Sequence, residues 1–183
     1  MKEYFIQFKP FLIFLIKFAA SYLVLAFVYQ SYLNQYNERA FEVDGFTKLV
    51  ANQSQKILSF FDEHSYTKPN FKEASVKLYY YNQWVSRIVE GCNGLSVIIL
   101  FISFVIAFKG KLKQTIAFIL IGSLVIYVFN VIRIALLCMA IYHFPQYESI
   151  LHGVIFPLII YGMVFVLWII WINNYSFYAK KTS

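Results

Sequence analysis

The stretch TIAFILIGSLVIYVFNVIRIALLCMAIY, from Thr115 to Tyr142, carries one charged residue, Arg133, in an otherwise apolar run. A bilayer hydrocarbon core of ~30 Å is crossed by about 20 such residues rising ~1.5 Å each. The run is longer than that and reads as a membrane-spanning helix. Three more segments are similar: Phe11 to Leu33, broken only by Lys17; Leu95 to Phe108, short unless Cys92 and its neighbours are counted; and Val154 to Ile172. Pro157 lies in the first turn of the last segment, where proline is tolerated.

Composition agrees. The chain is 60% hydrophobic and 14% charged, with a mean hydropathy of +0.61, against about 45–50% apolar and about 25% charged for a soluble domain. An ordinary soluble domain, a disordered tail and a collagen-like fibre are excluded. Aromatic residues make up 21% of the chain, which suits interfacial aromatic belts. The expected fold class is an all-α integral membrane protein with about four transmembrane helices and an extracytoplasmic amphipathic segment between helices one and two. Three sections follow: 1–33, an N-terminal tail and first helix; 34–91, the extracytoplasmic segment; and 92–183, a three-helix membrane core with a C-terminal tail.

Lysine and arginine collect on the cytoplasmic side of a membrane protein, so the net charge of +7 is read as topology and not as nucleic-acid binding. Lys2 and Lys9 precede the first span, Lys109, Lys111 and Lys113 separate the second from the third, and Lys180 and Lys181 follow the fourth. Four spans put all three groups on one side, with both termini in the cytoplasm. The loop from His143 to His152 has no Lys or Arg, as an outer loop should. The first span is too long for a signal-peptide core and reads as an uncleaved anchor.

Within 34–91, Phe46, Leu49, Val50, Ile57, Leu58 and Phe61 recur near helical spacing and predict an amphipathic helix lying on the bilayer or on the spans. Tyr66 to Ala74 reads as a loop, alternation at Val76, Leu78 and Tyr80 as a short strand, and Gln83 to Glu90 as one more helical piece.

Polar groups inside spans are costly and mark function by default. Arg133 lies ~27 Å along its span from Thr115, near the outer surface, with Asn130 on the same helical face. Snorkelling at the boundary is the alternative, although arginine is expected on the cytoplasmic side. Cys92 sits in Glu90-Gly91-Cys92-Asn93-Gly94, where the second span begins from outside. Asn93 is a candidate N-cap, and a thiol at a helix N-terminus near a cation is activated; a small space-filling cysteine is the other reading. His152 opens the last span from outside, either as a proton shuttle or as a boundary residue. His143 and His64 compete for any histidine role. Cys138 is five residues past Arg133, on another face of the helix, and reads as structural. With two cysteines, no CxxC and no Cys/His zinc spacing, neither a metal nor a cofactor is expected.

The lysine-derived topology places Cys92, Arg133 and His152 at one depth. A thiolate attacks carbonyls, an imidazole moves the proton, and a guanidinium stabilises an oxyanion. Gly91-Cys92-Asn93-Gly94-Leu95-Ser96, Phe129-Asn130-Val131-Ile132-Arg133-Ile134 and Leu151-His152-Gly153 occur in that order. Together they resemble the exosortase/archaeosortase family of membrane-embedded cysteine transpeptidases, over roughly Val89 to Ile172. The compact chain is similar to the short subfamily that carries Val89-Glu90-Gly91-Cys92-Asn93-Gly94. The resemblance implies cleavage of C-terminal sorting signals of exported proteins, each a motif, a transmembrane helix and a basic cluster. It implies catalytic Cys92, Arg133 and His152, with Asn130 orienting Arg133 and Glu90 tuning His152. The implied partners are such protein substrates and membrane lipid, with no nucleic acid and an open oligomeric state. A thiol-disulfide oxidoreductase using Cys92 and Cys138, and a non-enzymatic membrane subunit, are the competing readings.

Overall fold

The computed structural model describes residues 2–37 and 40–177, with side chains from residue 8 onward. Lys180 and Lys181 lie outside the described residues. Helices α1 (Lys2–Leu33), α2 (Gly45–Ser59), α3 (Leu95–Ala107), α4 (Leu112–His143), the one-turn α5 (Glu148–Ile150) and α6 (Phe156–Ile170) are joined, between α2 and α3, by strands β1 (Tyr66–Pro69), β2 (Ser75–Tyr80) and β3 (Gln83–Val89). Three helical stretches are long and apolar enough to cross a membrane: Phe8–Leu33, Leu112–His143 and Pro145–Tyr175. The fourth expected span, α3, has only 13 helical residues, about 20 Å at ~1.5 Å per residue.

α1 and α3 run side by side. Phe14 meets Phe104 at 5.7 Å and Phe108 at 4.6 Å between ring centroids, and the Ser21 hydroxyl donates to the Ser103 carbonyl at 3.3 Å. Most of α1 is exposed apolar surface, which a lipid-facing helix requires. Farther along, Phe104 stacks on Trp168 at 4.1 Å, and Phe118 packs on Trp171 at 5.1 Å. Here α3, α4 and α6 form a core around Phe101, Val105, Ile126, Ile160, Val164 and Trp171.

Residues 40–91 carry α2 and a three-stranded sheet. Asp44 caps α2, its carboxylate accepting from the Thr47 N–H at 2.9 Å, the expected chemistry for an N-cap. The buried face of α2, with Val50, Ala51 and Leu58, packs beneath the sheet and against α4, so the helix lies on the spans. The sheet is antiparallel in the order β1-β2-β3. Two readings are corrected here. Tyr66–Pro69 is a strand within the expected loop, and Gln83–Val89 is a strand where a helical piece was expected. The β2–β3 turn puts Tyr81 and Asn82 at φ 51° and 61°, the two positive-φ residues of a tight hairpin. Glycine is the usual signal there, and this turn has none.

Ile88 and Leu78 reach from the sheet to Val131, Ile134, Ala135 and Cys138 on α4. α4 is long and apolar enough to cross a membrane, and its second half packs as the central helix beneath α2 and the sheet. Phe144 and Pro145 end it.

Candidate active site

β3 delivers the chain into a 3-10 turn, Glu90–Cys92, and the first residues of α3 follow at once. The N-cap of α3 is Gly94, one residue after the expected Asn93; the Asn93 side-chain oxygen accepts from the Leu95 N–H at 2.8 Å and so steadies the turn into the helix. The Asn93 amide nitrogen, fully buried, donates to the Tyr29 hydroxyl and the Thr47 hydroxyl, each at 3.0 Å. One side chain thereby ties α1, α2 and the start of α3 together. Gly94 has φ +87°, and a Cβ there would lie 3.0 Å from the Asn130 amide; backbone conformation and close approach both demand glycine. Gly91 has open space around it, leaving room beside the half-buried Cys92.

Asn130 is buried and uses both ends of its amide. Its nitrogen donates to the Cys92 carbonyl at 3.0 Å, and its oxygen accepts from Arg133 Nη1 at 3.3 Å. The expected orienting role of Asn130 therefore has a physical basis: one amide holds the cysteine backbone and the guanidinium in fixed relation. The Arg133 Nε is buried with no hydrogen-bond partner. Among the described residues, the ion pairs are His64–Asp62 and Arg87–Glu73, and neither includes Arg133. A guanidinium neutralised by no carboxylate, beside a cavity, is suited to a transient anion.

His152 lies in a π-helical turn, Leu151–Ile155, just before α6. Single π-turns are frequent at functional sites. Cys92, Arg133 and His152 line one cavity of about 390 Å³. Its other walls are Trp84 to Val89 of β3, Ile134, Leu137 and Ile141 of α4, and Glu148. The three expected residues come from three separate elements and meet at one space.

The competing histidines are elsewhere. His143 packs edge-on against Tyr142 at 5.1 Å and Tyr80 at 6.5 Å. His64 is exposed and bonds Asp62 at 3.3 Å. Glu90, expected to tune His152, is not a wall of the cavity that His152 borders. The carboxylate on the cavity is Glu148, four residues before His152. Neither Glu148 nor the β3 wall was read from the sequence. The spacing Glu148 to His152 was the available signal for the first; the second was hidden by the misread strand. Cys138 is fully buried beneath the sheet, in contact with Ser86, and is not a cavity wall. Both cysteines are free thiols.

A helical membrane protein with a thiol, a guanidinium and an imidazole on one cavity belongs to a narrow class. The family model described as transmembrane exosortase (Exosortase_EpsH) matches residues 8–172. The chain belongs to the transmembrane exosortase family, whose general activity is cysteine-type membrane proteolysis and transpeptidation in protein sorting. The match reaches back over α1, α2 and the sheet, well beyond the stretch from Val89 that carried the resemblance. The chain has no significant match among curated proteins or solved structures.

Proposed function

We propose that this protein is a membrane-embedded cysteine peptidase or transpeptidase. It cleaves C-terminal sorting signals of exported proteins at the outer face of the cytoplasmic membrane, both termini lying inside. The observation that carries the reading is the single cavity walled by Cys92, Arg133 and His152. The orientation follows from the grouping of lysines in the sequence.

The chemistry is acyl transfer. The Cys92 thiolate attacks the scissile carbonyl carbon and a C–S bond forms. Arg133 faces the oxyanion of the tetrahedral intermediate; removing one such donor typically costs about 10²–10³ in rate. The C–N bond then breaks, and the leaving amine takes a proton from His152. The tail departs with its transmembrane helix, and a thioester on Cys92 remains. His152 accepts a proton from the incoming acceptor, which attacks the thioester; the C–S bond breaks and the Cys92 thiolate is regenerated beside protonated His152. Asn130 holds Arg133 in place, and Glu148 stands one turn from His152, where a carboxylate orients an imidazole.

The test is made in the native cell by replacing Cys92 with Ala and comparing membrane-protein C-termini by mass spectrometry. Proteins that now retain a hydrophobic helix and a basic end are the expected result, and they name the substrate motif. Cys138→Ser should leave cutting unchanged. Unaltered C-termini in a Cys92→Ala chain that is made and inserted would turn the reading toward a redox or non-enzymatic role; a requirement for both cysteines would select the redox one.

A further inference from the structure

The wall of the cavity formed by β3 is a strand with one side unpaired. β3 is an edge of the sheet, and Trp84, Val85, Ser86, Arg87, Ile88 and Val89 all border the same space as Cys92. The other edge strand, β1, does not border it.

The register says which peptide groups face that space. The Ser75 carbonyl accepts from the Asn70 N–H at 3.1 Å, so Ser75 turns its hydrogen-bonding groups toward the β1 side. Successive residues of an antiparallel strand turn them to alternate sides. Val76 therefore faces β3, and opposite it on β1 stands Pro69, which has no N–H to give. Val76 pairs with Ile88 and Leu78 with Ser86, so these are the bonded pairs. Arg87 and Val89, opposite Lys77 and Ser75, turn their N–H and C=O groups away from β2, toward the cavity. Among the described residues no backbone partner is recorded for them beyond the sheet. An exposed edge of this kind is a template for another strand.

We propose that this edge receives the substrate as an added β-strand, running parallel to β3 and lying on the amino-terminal side of the scissile bond. The inference rests on the cysteine-peptidase reading above. The direction follows from connectivity. β3 runs toward Cys92, which lies three residues past Val89. A sorting signal enters the membrane after its cleavage point, so the residues before that point run from outside toward Cys92, in the same sense as β3. In parallel pairing one substrate residue, opposite Ile88, donates its N–H to the Arg87 carbonyl and accepts at its C=O from the Val89 N–H. The chain then continues beyond the end of β3 and brings the scissile carbonyl to the thiol. Main-chain pairing holds the substrate extended and leaves sequence preference to the side chains that alternate into the cavity. Sequence preference is thus set mainly by the walls from α4 and by Trp84.

Two experiments in the full-length chain in native membranes test this. In the first, Val89→Pro deletes the N–H aimed at the substrate while sparing the β2–β3 bonds. Uncut tails should accumulate, with cutting slowed roughly tenfold or more for a lost backbone bond and the strain at the edge. In the second, a photoreactive benzoylphenylalanine replaces Trp84 in the Cys92→Ala chain, and the captured peptides are sequenced. Capture should fall on residues upstream of the cleavage point identified from the Cys92→Ala C-termini. Wild-type cutting by Val89→Pro overturns the proposal. So does capture confined to the tail side, or no capture at all. If Val89→Pro fails to insert, the cross-link alone decides. The two readings fail differently. Cys92→Ala without retained tails sinks the peptidase reading itself. Retained tails combined with negative results at Val89 and Trp84 sink only the strand docking.

Discussion

The two halves of α4 are one continuous helix that solves two packing problems. In the half that begins at Leu112, association depends on shape. Gly122 lets the Phe101 ring lie so close that a Cβ would be 2.3 Å from it, and stacked aromatics from α3 and α6 fill the rest. Small residues that permit close approach are how helices associate in lipid, where apolar surface gains nothing from burial against other apolar surface. In the second half, polar atoms decide. The Tyr127 hydroxyl donates to Gln53 at 2.9 Å, the Ser54 hydroxyl to the Val131 carbonyl at 3.3 Å, and Asn130 joins Cys92 to Arg133. Beyond them Ile134, Ala135 and Cys138 are covered by an amphipathic helix and a sheet, as in a soluble domain. Cys92, Arg133 and His152 border the cavity where the two regimes meet.

Breaking the second half of α4 at its charge should have the largest effect. Arg133→Gln keeps length and polarity but removes the cation. Cutting, read as the ratio of uncut to cut C-termini, should fall about 10²–10³-fold, with insertion and thermal stability little changed. Cutting at the wild-type rate would remove Arg133 from the reaction and leave it as a snorkelling boundary residue.

Breaking the first half should cost stability and spare chemistry. Gly122→Ala gains about 1 kcal/mol in helix propensity, yet its methyl meets the fully buried Phe101 ring. Overpacking of that sort costs about 1–3 kcal/mol, so a net loss near 1 kcal/mol is expected in thermal unfolding of the detergent-solubilised protein. An increase in stability would show that α3 and α4 can separate freely, and the contrast between the halves would weaken.

Asn130→Ala sharpens the comparison because it touches site and fold together. It leaves the Cys92 carbonyl and Arg133 Nη1 without the partners they have now. Cutting should drop about tenfold, near 1.4 kcal/mol. Asn130→Asp keeps an acceptor for Arg133 but loses the donor to Cys92, so it should restore less than half of the lost rate on a logarithmic scale. Equal cutting by all three chains would leave Asn130 with a packing role only.

The legible parts of the sequence were those governed by a long, uniform pattern or by an out-of-place group. Thr115 to Tyr142 could only be a helix, and Arg133 within it demanded a purpose. Cys92, Arg133 and His152 were grouped in the sequence reading by lysines alone, and the three border one cavity. What could not be read was set by contacts between distant elements. β3 looked helical because Gln83 to Glu90 is short, adjoins a span, and follows a turn of Tyr81 and Asn82 that lacks the usual glycine. Glu90 neighbours Cys92 in the sequence, but it is not a wall of the cavity that His152 borders. Thr47, which anchors Asn93, gave no local signal; its partner is 46 residues away in sequence.

The mildest test concerns that same glycine-free turn. Asp62 Oδ2 accepts from the Tyr81 N–H at 2.7 Å and the Ser65 hydroxyl at 3.2 Å, and Oδ1 accepts from the His64 N–H at 3.2 Å. Burial alone would raise its pKa, but these bonds to the ionised form outweigh it and hold the carboxyl below its ordinary range. A carboxylate whose folded pKa is depressed adds stability that is complete above its unfolded value, about 3.9, and lost as pH falls through the folded one. The hairpin should therefore be equally protected at pH 7 and pH 5 and loosen below about 4. Hydrogen exchange at the β2–β3 turn, corrected for the intrinsic rate at each pH, reads this directly. Asp62→Asn should weaken protection at neutral pH and remove its acid dependence. An unchanged acid dependence in Asp62→Asn would assign it to another group. Gly122 and its neighbours in the first half of α4, whose packing uses no ionised side chain, should show no acid step over the same range.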